Sequence, residues 1–448
     1  MSALLQLQFQ LQSRFCNPLE GAFPAATAIV APDFYNGGVK SPRSDVVVIG
    51  AGVVGLAMAM RAAQSGLRVA LIGHKNALPD TTITDRWDHR VFAISQASKV
   101  LLERLAVWQY LFDARIEPIN TMSVFANGGD SVPVQFDAAQ VDETALAWIV
   151  EQSNLFHALS TGVSESNVRW IEADVSALDF DDDTVTVSLS DDSTVQSRLV
   201  IGADGAGSST RSMAGIAHQQ TSYVQRALVA HVAVEQPHQR CAYQWFGEHG
   251  ILALLPLPDS NGQHRMSMVW SCAVQNAKQM LQAGATHTAE QLSKIASPEV
   301  GRCSAISELV SFPLNRQAAH SLISHRVALV GDAAHVVHPL AGQGLNLGLS
   351  DVATLGQLLE HARATGRASR FDPGHKLLLR RYRRHRAEPL LAMQTSINGL
   401  ERLFSPMRGS DSLRSLFDAI PVTTRELGWD FVARNSFVRR QLIKLAER

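Results

Sequence analysis

The sequence predicts an α/β fold: a doubly wound domain built from discontinuous segments, an interleaved mixed or antiparallel sheet, and a helical C-terminal part. Three observations carry this. A strand–glycine turn–helix–strand unit runs from Val46 to Ile72. Two later apolar runs, Leu199–Ala203 and Val327–Val330, each lead into an aspartate. Between them, residues of about 222–312 alternate apolar and polar side chains, the period of half-buried antiparallel strands.

The first unit is the most explicit. Val46 to Ile49 is a short β-branched run suited to a buried strand. Gly50-Ala51-Gly52-Val53-Val54-Gly55 follows, then an Ala-rich, proline-free stretch that should be a helix ending at Gly66. Leu67 to Ile72 reads as the next strand. Parallel strands joined by a helix imply a right-handed crossover. In such a turn the first glycine permits the bend, the second admits a pyrophosphate, and the third lets helix and strand pack closely. The helix N-terminus adds free N–H groups and partial positive charge. The unit therefore predicts a dinucleotide site, against the plainer reading of a glycine-rich structural turn.

One position departs from that pattern. An acid should end the second strand and bind a ribose hydroxyl. Gly73-His74-Lys75 stands there instead. Asp80, Asp85 or backbone would then hold the ribose. His74 and Lys75 alternatively suit a 2′-phosphate, or form an exposed basic loop, which is the preferred reading.

Composition narrows the function. The chain has 448 residues, 40 Lys+Arg, 41 Asp+Glu and a formal charge of −1. This balance gives no reason to expect a nucleic-acid partner. A 46 % hydrophobic content excludes a disordered chain. The four cysteines, Cys16, Cys241, Cys272 and Cys303, are too scattered for a Cys-x-x-Cys pair and suggest a reduced, cytoplasmic protein. No run reaches the ~20 apolar residues of a membrane-spanning helix. Residues 1–43 read as a loose extension without the basic start or cleavage site of a secretory signal.

Charge is uneven along the chain. Lys376 to Arg448 holds 15 Lys+Arg against 7 Asp+Glu. The block from Lys376 to Arg386 is a candidate for peripheral contact with the inner face of the cytoplasmic membrane. Arginines paired within the fold are the competing reading.

The run from Gly331-Asp332 through His335, His338 and Pro339 to Gly342, Gly344, Leu345 and Asn346 is the most specific in the chain. It resembles the flavin-ribityl motif of the class A FAD-dependent aromatic-ring monooxygenases. Leu199 to Arg211, with Asp204-Gly205 inside it, resembles the same family's Asp-Gly motif. Together with Gly50–Gly55 the three signatures stand in the family's order, over Asp45 to about Glu388. Asp88-His89-Arg90, Ile149-Val150-Glu151 and Ser311-Phe312-Pro313-Leu314 are similar to the ring hydroxylases of ubiquinone biosynthesis.

The resemblance implies a glutathione-reductase-like FAD-binding domain over 44–120, 143–221 and 311–374. It implies a substrate domain over 121–142 and 222–310, and a helical region over 375–448. FAD would be the cofactor and NAD(P)H the electron donor. The implied cofactor-binding residues are Gly50, Ala51, Gly52, Val53, Val54, Gly55, Arg90, Asp204, Gly205, Arg211, Gly331, Asp332, Pro339, Gly342, Gly344, Leu345 and Asn346. Asp332 would accept hydrogen bonds from ribityl hydroxyls, a role that needs no perturbed pKa. The N-terminus of the helix opened by Gly342–Asn346 would face the flavin ring. Arg90 and Arg211 are phosphate or NAD(P)H candidates, with surface ion pairs as the alternative; Asn154 is a further polar candidate. No catalytic base is assignable, although His338 and Pro339 are flavin-adjacent candidates. A metal site is not expected. Tyr243, Trp245, Phe246, Trp270 and Phe312 are candidates for a substrate wall or for sheet core.

The implied activity is hydroxylation of an aromatic ring with O2, on a polyprenylated ubiquinone precursor, within a ubiquinone-biosynthesis complex. The flavin supplies the oxygen chemistry and the protein positions the ring and excludes water. A hydroxylase of a small soluble phenol and a non-catalytic flavin-fold subunit are the alternatives.

Overall fold

A computed structural model describes residues 43–75, 87–125, 133–337, 343–365 and 371–387. Residues 1–42 and 388–448 lie outside the described residues. So do Asp80, Asp85, His338, Pro339 and Gly342.

The first sheet is the doubly wound one. Its parallel core comprises β1 (Arg43–Ile49), β2 (Val69–Ile72), β8 (Arg169–Ile171), β11 (Thr194–Gly202) and β19 (Val327–Leu329). The strand order is β19-β11-β1-β2-β8, with the short β18 (Ile323–Ser324) antiparallel on β19. The hairpin of β9 (Val175–Phe180) and β10 (Val185–Leu189) extends β11 on its antiparallel side. Val46, Val47 and Val48 are fully buried, as are Leu199, Val200 and Ile201. That near-continuous apolar character is what a strand covered on both faces requires.

Helix α1 (Val53–Gln64) follows β1 and is buried along most of its length. Its alanines and lack of proline favour the helix, and their small size lets it pack closely. Helices α2 (Gln96–Arg104), α3 (Gln152–Ser164) and the short α4 (Ser209–Met213) belong to the same lobe. So does the 23-residue α6 (Gln343–Thr365), which packs against α1. A last helix, α7, covers 376–387. Its Tyr382 is wholly buried and donates to the Leu329 carbonyl of β19 at 2.8 Å.

The second sheet has nine strands and is mixed. β12 (His218–Val234), β13 (Cys241–Gly247), β14 (Gly250–Ser260) and β15 (Gln263–Ala273) form its antiparallel centre. β16 (Cys303–Ala305), β17 (Val310–Ala319) and β20 (His335–Val336) extend one side. β5 (Thr121–Phe125) joins β13 in parallel and β6 (Val134–Asp137) follows it. Residues 311–319, assigned from sequence to the first domain, thus pair within this second sheet.

Two elements depart from expectation. Residues within the supposed all-strand segment form α5 (Val274–Val300), kinked at Gly284. Its Ala277, Leu292, Ala296 and Val300 cover one face of the sheet together with Trp245, Met268 and Trp270. A separate three-stranded antiparallel sheet, β3 (Val91–Ser95), β7 (Ala147–Glu151) and β4 (Ile116–Ile119), joins the two lobes. Ile119 and Ile149 of that connector pack with Ala242 and Leu257 on the opposite face of the second sheet.

Candidate active site

The three glycine- and aspartate-bearing motifs converge in space. Gly50 has φ +109°, and a Cβ there would lie 2.4 Å from the Ala203 carbonyl oxygen. The turn after β1 therefore crosses directly under the Ala203-Asp204 backbone, and only glycine fits. A Cβ on Gly331 would meet Val54 at 3.1 Å, which brings the third motif against the start of α1. Where Gly52 forms the tip, nothing lies within 4 Å of the same construction. No side chain caps α1 and no acid stands in its first turn. Its leading N–H groups are thus left for a ligand.

Asp204 and Arg211 do different work from that expected. Asp204 accepts from Ser208 Oγ at 2.5 Å, Ser209 Oγ at 3.2 Å and the Thr210 N–H at 2.9 Å. Its carboxylate organises the entry to α4. Arg211 is buried and donates to the carbonyls of Ala333 and Ala206, each at 2.9 Å. Desolvation lowers its pKa. This guanidinium is an internal tie between the second and third motifs, not a surface ion pair.

Gly73 has a backbone reason. Its φ is +154°, and a Cβ would stand 2.9 Å from Ala51 N. Trp170 Nε1 donates to its carbonyl at 2.8 Å. The crossing over the glycine turn excludes any side chain, so an acid has no room there. His74 lies 3.2 Å from Asp174 and Lys75 lies 3.5 Å from Glu172. Each member of this exposed basic pair has an acid beside it.

Asp332 follows Gly331 in a 3-10 turn, two residues beyond β19. The residue is exposed although protein packs densely around it. Desolvation raises its pKa, opposed by His335 and Arg90. Arg90 lies 5.3 Å from the Phe312 ring and donates to Gln152 Oε1 at 3.5 Å. The side chain of Asn346 is committed to the fold: Oδ1 accepts the Ser95 N–H at 3.1 Å and Nδ2 donates to the Ala93 carbonyl at 2.8 Å. Gly344, Leu345 and Asn346 lie in the first turn of α6. Asn154 is buried and bonds the Phe112 backbone through both side-chain atoms.

Sequence reasoning missed Asp351. It is fully buried, and its Oδ2 accepts from His335 Nε2 at 2.7 Å and from the Gly331 N–H at 2.9 Å. Its Oδ1 accepts from Arg386 Nε at 2.6 Å. Burial alone would raise this carboxyl; His335 and Arg386 overcome that and hold it below the ordinary range. His335 is therefore structural, and Arg386 is removed from the candidate membrane block. Of the aromatic candidates, Tyr243, Trp245 and Trp270 pack on the α5 side of the sheet. Phe246 and Phe312 lie on the other face.

A family model described as FAD binding domain matches residues 43–388. The chain belongs to that family. This FAD-binding chain is 34 % identical over 384 residues to the ubiquinone hydroxylase UbiL of Rhodospirillum rubrum, covering 85 % of each. It is 30 % identical over 410 residues to the 3-demethoxyubiquinol 3-hydroxylase of Escherichia coli, covering 90 % of this chain and 98 % of that one. Among solved structures, p-nitrophenol 4-monooxygenase PnpA from Pseudomonas putida superposes with a TM-score of 0.65 at 18 % identity, over 89 % of this chain and 96 % of that one. HpxO of Klebsiella pneumoniae, complexed with FAD and uric acid, gives 0.64 at 16 % identity, over 90 % and 96 %. The expected place among FAD-dependent ring monooxygenases, on the ubiquinone-biosynthesis side, is borne out. The open tip at Gly52, the uncapped α1 and the exposed Asp332 suit FAD.

Proposed function

We propose that this FAD-binding chain hydroxylates the aromatic ring of a polyprenylated phenol of ubiquinone biosynthesis, using O2 and NAD(P)H. The observation that carries the reading is its likeness, over more than four-fifths of its length, to hydroxylases named for ubiquinone precursors. The Gly50–Gly55 turn and α1 bind the pyrophosphate. Asp332 would accept from the ribityl chain, and the N-terminal turn of α6, from Gly344 to Asn346, would lie beside the flavin ring. Arg90 lies at the same mouth. Asp204, Gly205 and Arg211 shape the walls from behind. When bound, FAD supplies the oxygen activation; these residues bind it, orient it and exclude water. With Gly73 explained by its backbone, the missing acid gives no support to a non-catalytic subunit.

A polyprenylated substrate resides in a bilayer, so the chain must reach the membrane surface. No helix among the described residues is long and apolar enough to cross one. On α7, Lys376, Arg380, Arg381, Arg383 and Arg384 are exposed beside Leu377, while Leu378, Leu379, Tyr382 and Arg386 face inward. We assign this outward face to contact with an anionic leaflet or with partner enzymes.

Purified wild-type protein should be yellow, and its flavin should be reduced by NAD(P)H. Asp332→Ala should lose bound FAD by about ten- to a hundredfold in affinity, the worth of a hydrogen bond to a charged group. Unchanged flavin content after dialysis would remove Asp332 from the site.

A further inference from the structure

A second polar cluster lies on the face of the nine-stranded sheet that looks toward the FAD-binding lobe. His231 on β12 is 2 % exposed, and Ser267 on β15 is fully buried. They are cross-strand partners, which sets their side chains side by side on one face. Arg265 stands two residues before Ser267 and shares that face. His231 Nε2 lies 2.8 Å from the Asp88 carbonyl oxygen. A carbonyl only accepts, so Nε2 carries the hydrogen and Nδ1 is left with a lone pair. His231 Nδ1, Ser267 Oγ and Arg265 Nε are all buried, and none has a hydrogen-bond partner. His89 stacks on His231 with 5.9 Å between centroids and 12° between planes, and its own Nδ1 is also buried without a partner. Native proteins rarely leave one such atom unpaired, and a group of them marks a place where something polar binds.

We propose that His231 Nδ1, Ser267 Oγ and Arg265 Nε form a buried site that receives the hydroxyl group of the aromatic substrate. The donor and acceptor pattern is specific. His231 Nδ1 requires a donor, whereas Arg265 Nε–H requires an acceptor and the Ser267 hydroxyl serves as either. A phenolic O–H satisfies all three, donating to His231 and accepting from the others. An ether oxygen can only accept and leaves His231 unpaired. Burial pushes the His231 pKa down to about 4, so the ring stays neutral and does not remove the phenol's proton. The cluster shares its sheet face with Phe312, the β17 partner of Ala227, and Arg90, next to His89, lies 5.3 Å from that ring. Leu255, the β14 partner of Ser267, supplies apolar surface beside the site.

The inference rests on the hydroxylase reading, and one titration separates the two. Holoenzyme is titrated with 2-prenylphenol and with its methyl ether, 2-prenylanisole, following the absorbance of oxidised flavin. The phenol should bind at least about tenfold more tightly, the worth of one buried hydrogen bond. His231→Ala and Ser267→Ala should each lower that ratio while retaining FAD. Ser267→Ala guards against misfolding, because loss of an unpartnered buried hydroxyl with no ligand role leaves the ratio unchanged and the fold at least as stable. Equal affinities for phenol and ether in the wild type would overturn the site and leave a bound water as its occupant. A ratio retained in both variants would overturn it equally. Failure of NAD(P)H to reduce the flavin is a different result and contradicts the hydroxylase reading itself.

Discussion

Asp88 and Glu151 hold each other's turns in place. The Asp88 N–H donates to Glu151 Oε1 at 2.7 Å, while Asp88 Oδ2 accepts the Ser153 N–H at 2.7 Å. The first bond fixes the segment that carries His89 and Arg90. The second places a carboxylate at the N-terminus of α3, where the helix favours negative charge. Arg115 completes the clamp with a 3.0 Å ion pair to Glu151. Two sequence motifs far apart in the chain are thereby one structural unit beside the flavin site.

Desolvation raises the Glu151 carboxyl to about 7, against the pull of the Asp88 N–H and Arg115. The folded state then binds this proton more tightly than the unfolded chain does. Its contribution to stability is complete below the ordinary glutamate value and declines as pH rises from about 4.5 to 7. A shift of this size corresponds to on the order of 3 kcal/mol. Glu151→Gln cannot titrate, so its Tm should fall less than the wild type's across that window. Parallel Tm profiles would show that Glu151 is ionised throughout.

Asp351→Ala should destabilise the protein by about 3–5 kcal/mol, because it leaves Arg386 buried without its counter-charge. Gly331 also loses the acceptor for its N–H, so FAD affinity should fall with stability. Replacing the pair with apolar residues, Asp351→Leu with Arg386→Met, should recover much of the stability. Denaturant midpoints check this; a harmless single change would contradict the buried network.

Gly73→Glu restores the acid that the dinucleotide pattern calls for, yet it should weaken FAD binding. Its φ of +154° and the 2.9 Å approach to Ala51 force the glycine turn to shift. The sequence alone suggested the opposite outcome, a tighter ribose contact. Flavin fluorescence titration of the apoprotein decides between them, and tighter binding would refute the crossing.

Wild-type protein should bind anionic vesicles at low salt, and Arg380→Glu with Arg384→Glu should release it. Each basic residue near such a surface contributes about 1 kcal/mol. Equal binding to neutral vesicles, or no effect of the double change, would remove the electrostatic membrane contact.

The parts legible in the sequence were those with local causes. The βαβ unit could be read because a glycine turn between an apolar strand and an Ala-rich helix has few other uses. The convergence of Asp204 and Asp332 followed from both lying beyond parallel strands. What escaped was non-local. Arg211 spends its charge on backbone carbonyls, and Asp351 meets an arginine 35 residues later in another helix. Helix α5 escaped because half of its buried residues are alanines, whose apolar signal is weak, between strands with strong alternation. The conformational demand at Gly73 exists only once β2 crosses the first turn.

Ring oxygenation under labelled dioxygen tests the central claim most directly. Holoenzyme, NAD(P)H and a 2-polyprenylphenol are incubated with isotopically labelled O2, and the product is analysed by mass spectrometry. The account predicts a ring-hydroxylated phenol carrying one labelled oxygen atom per turnover. Flavin reduction that delivers all the consumed O2 to hydrogen peroxide, with the phenol recovered unchanged, would contradict it.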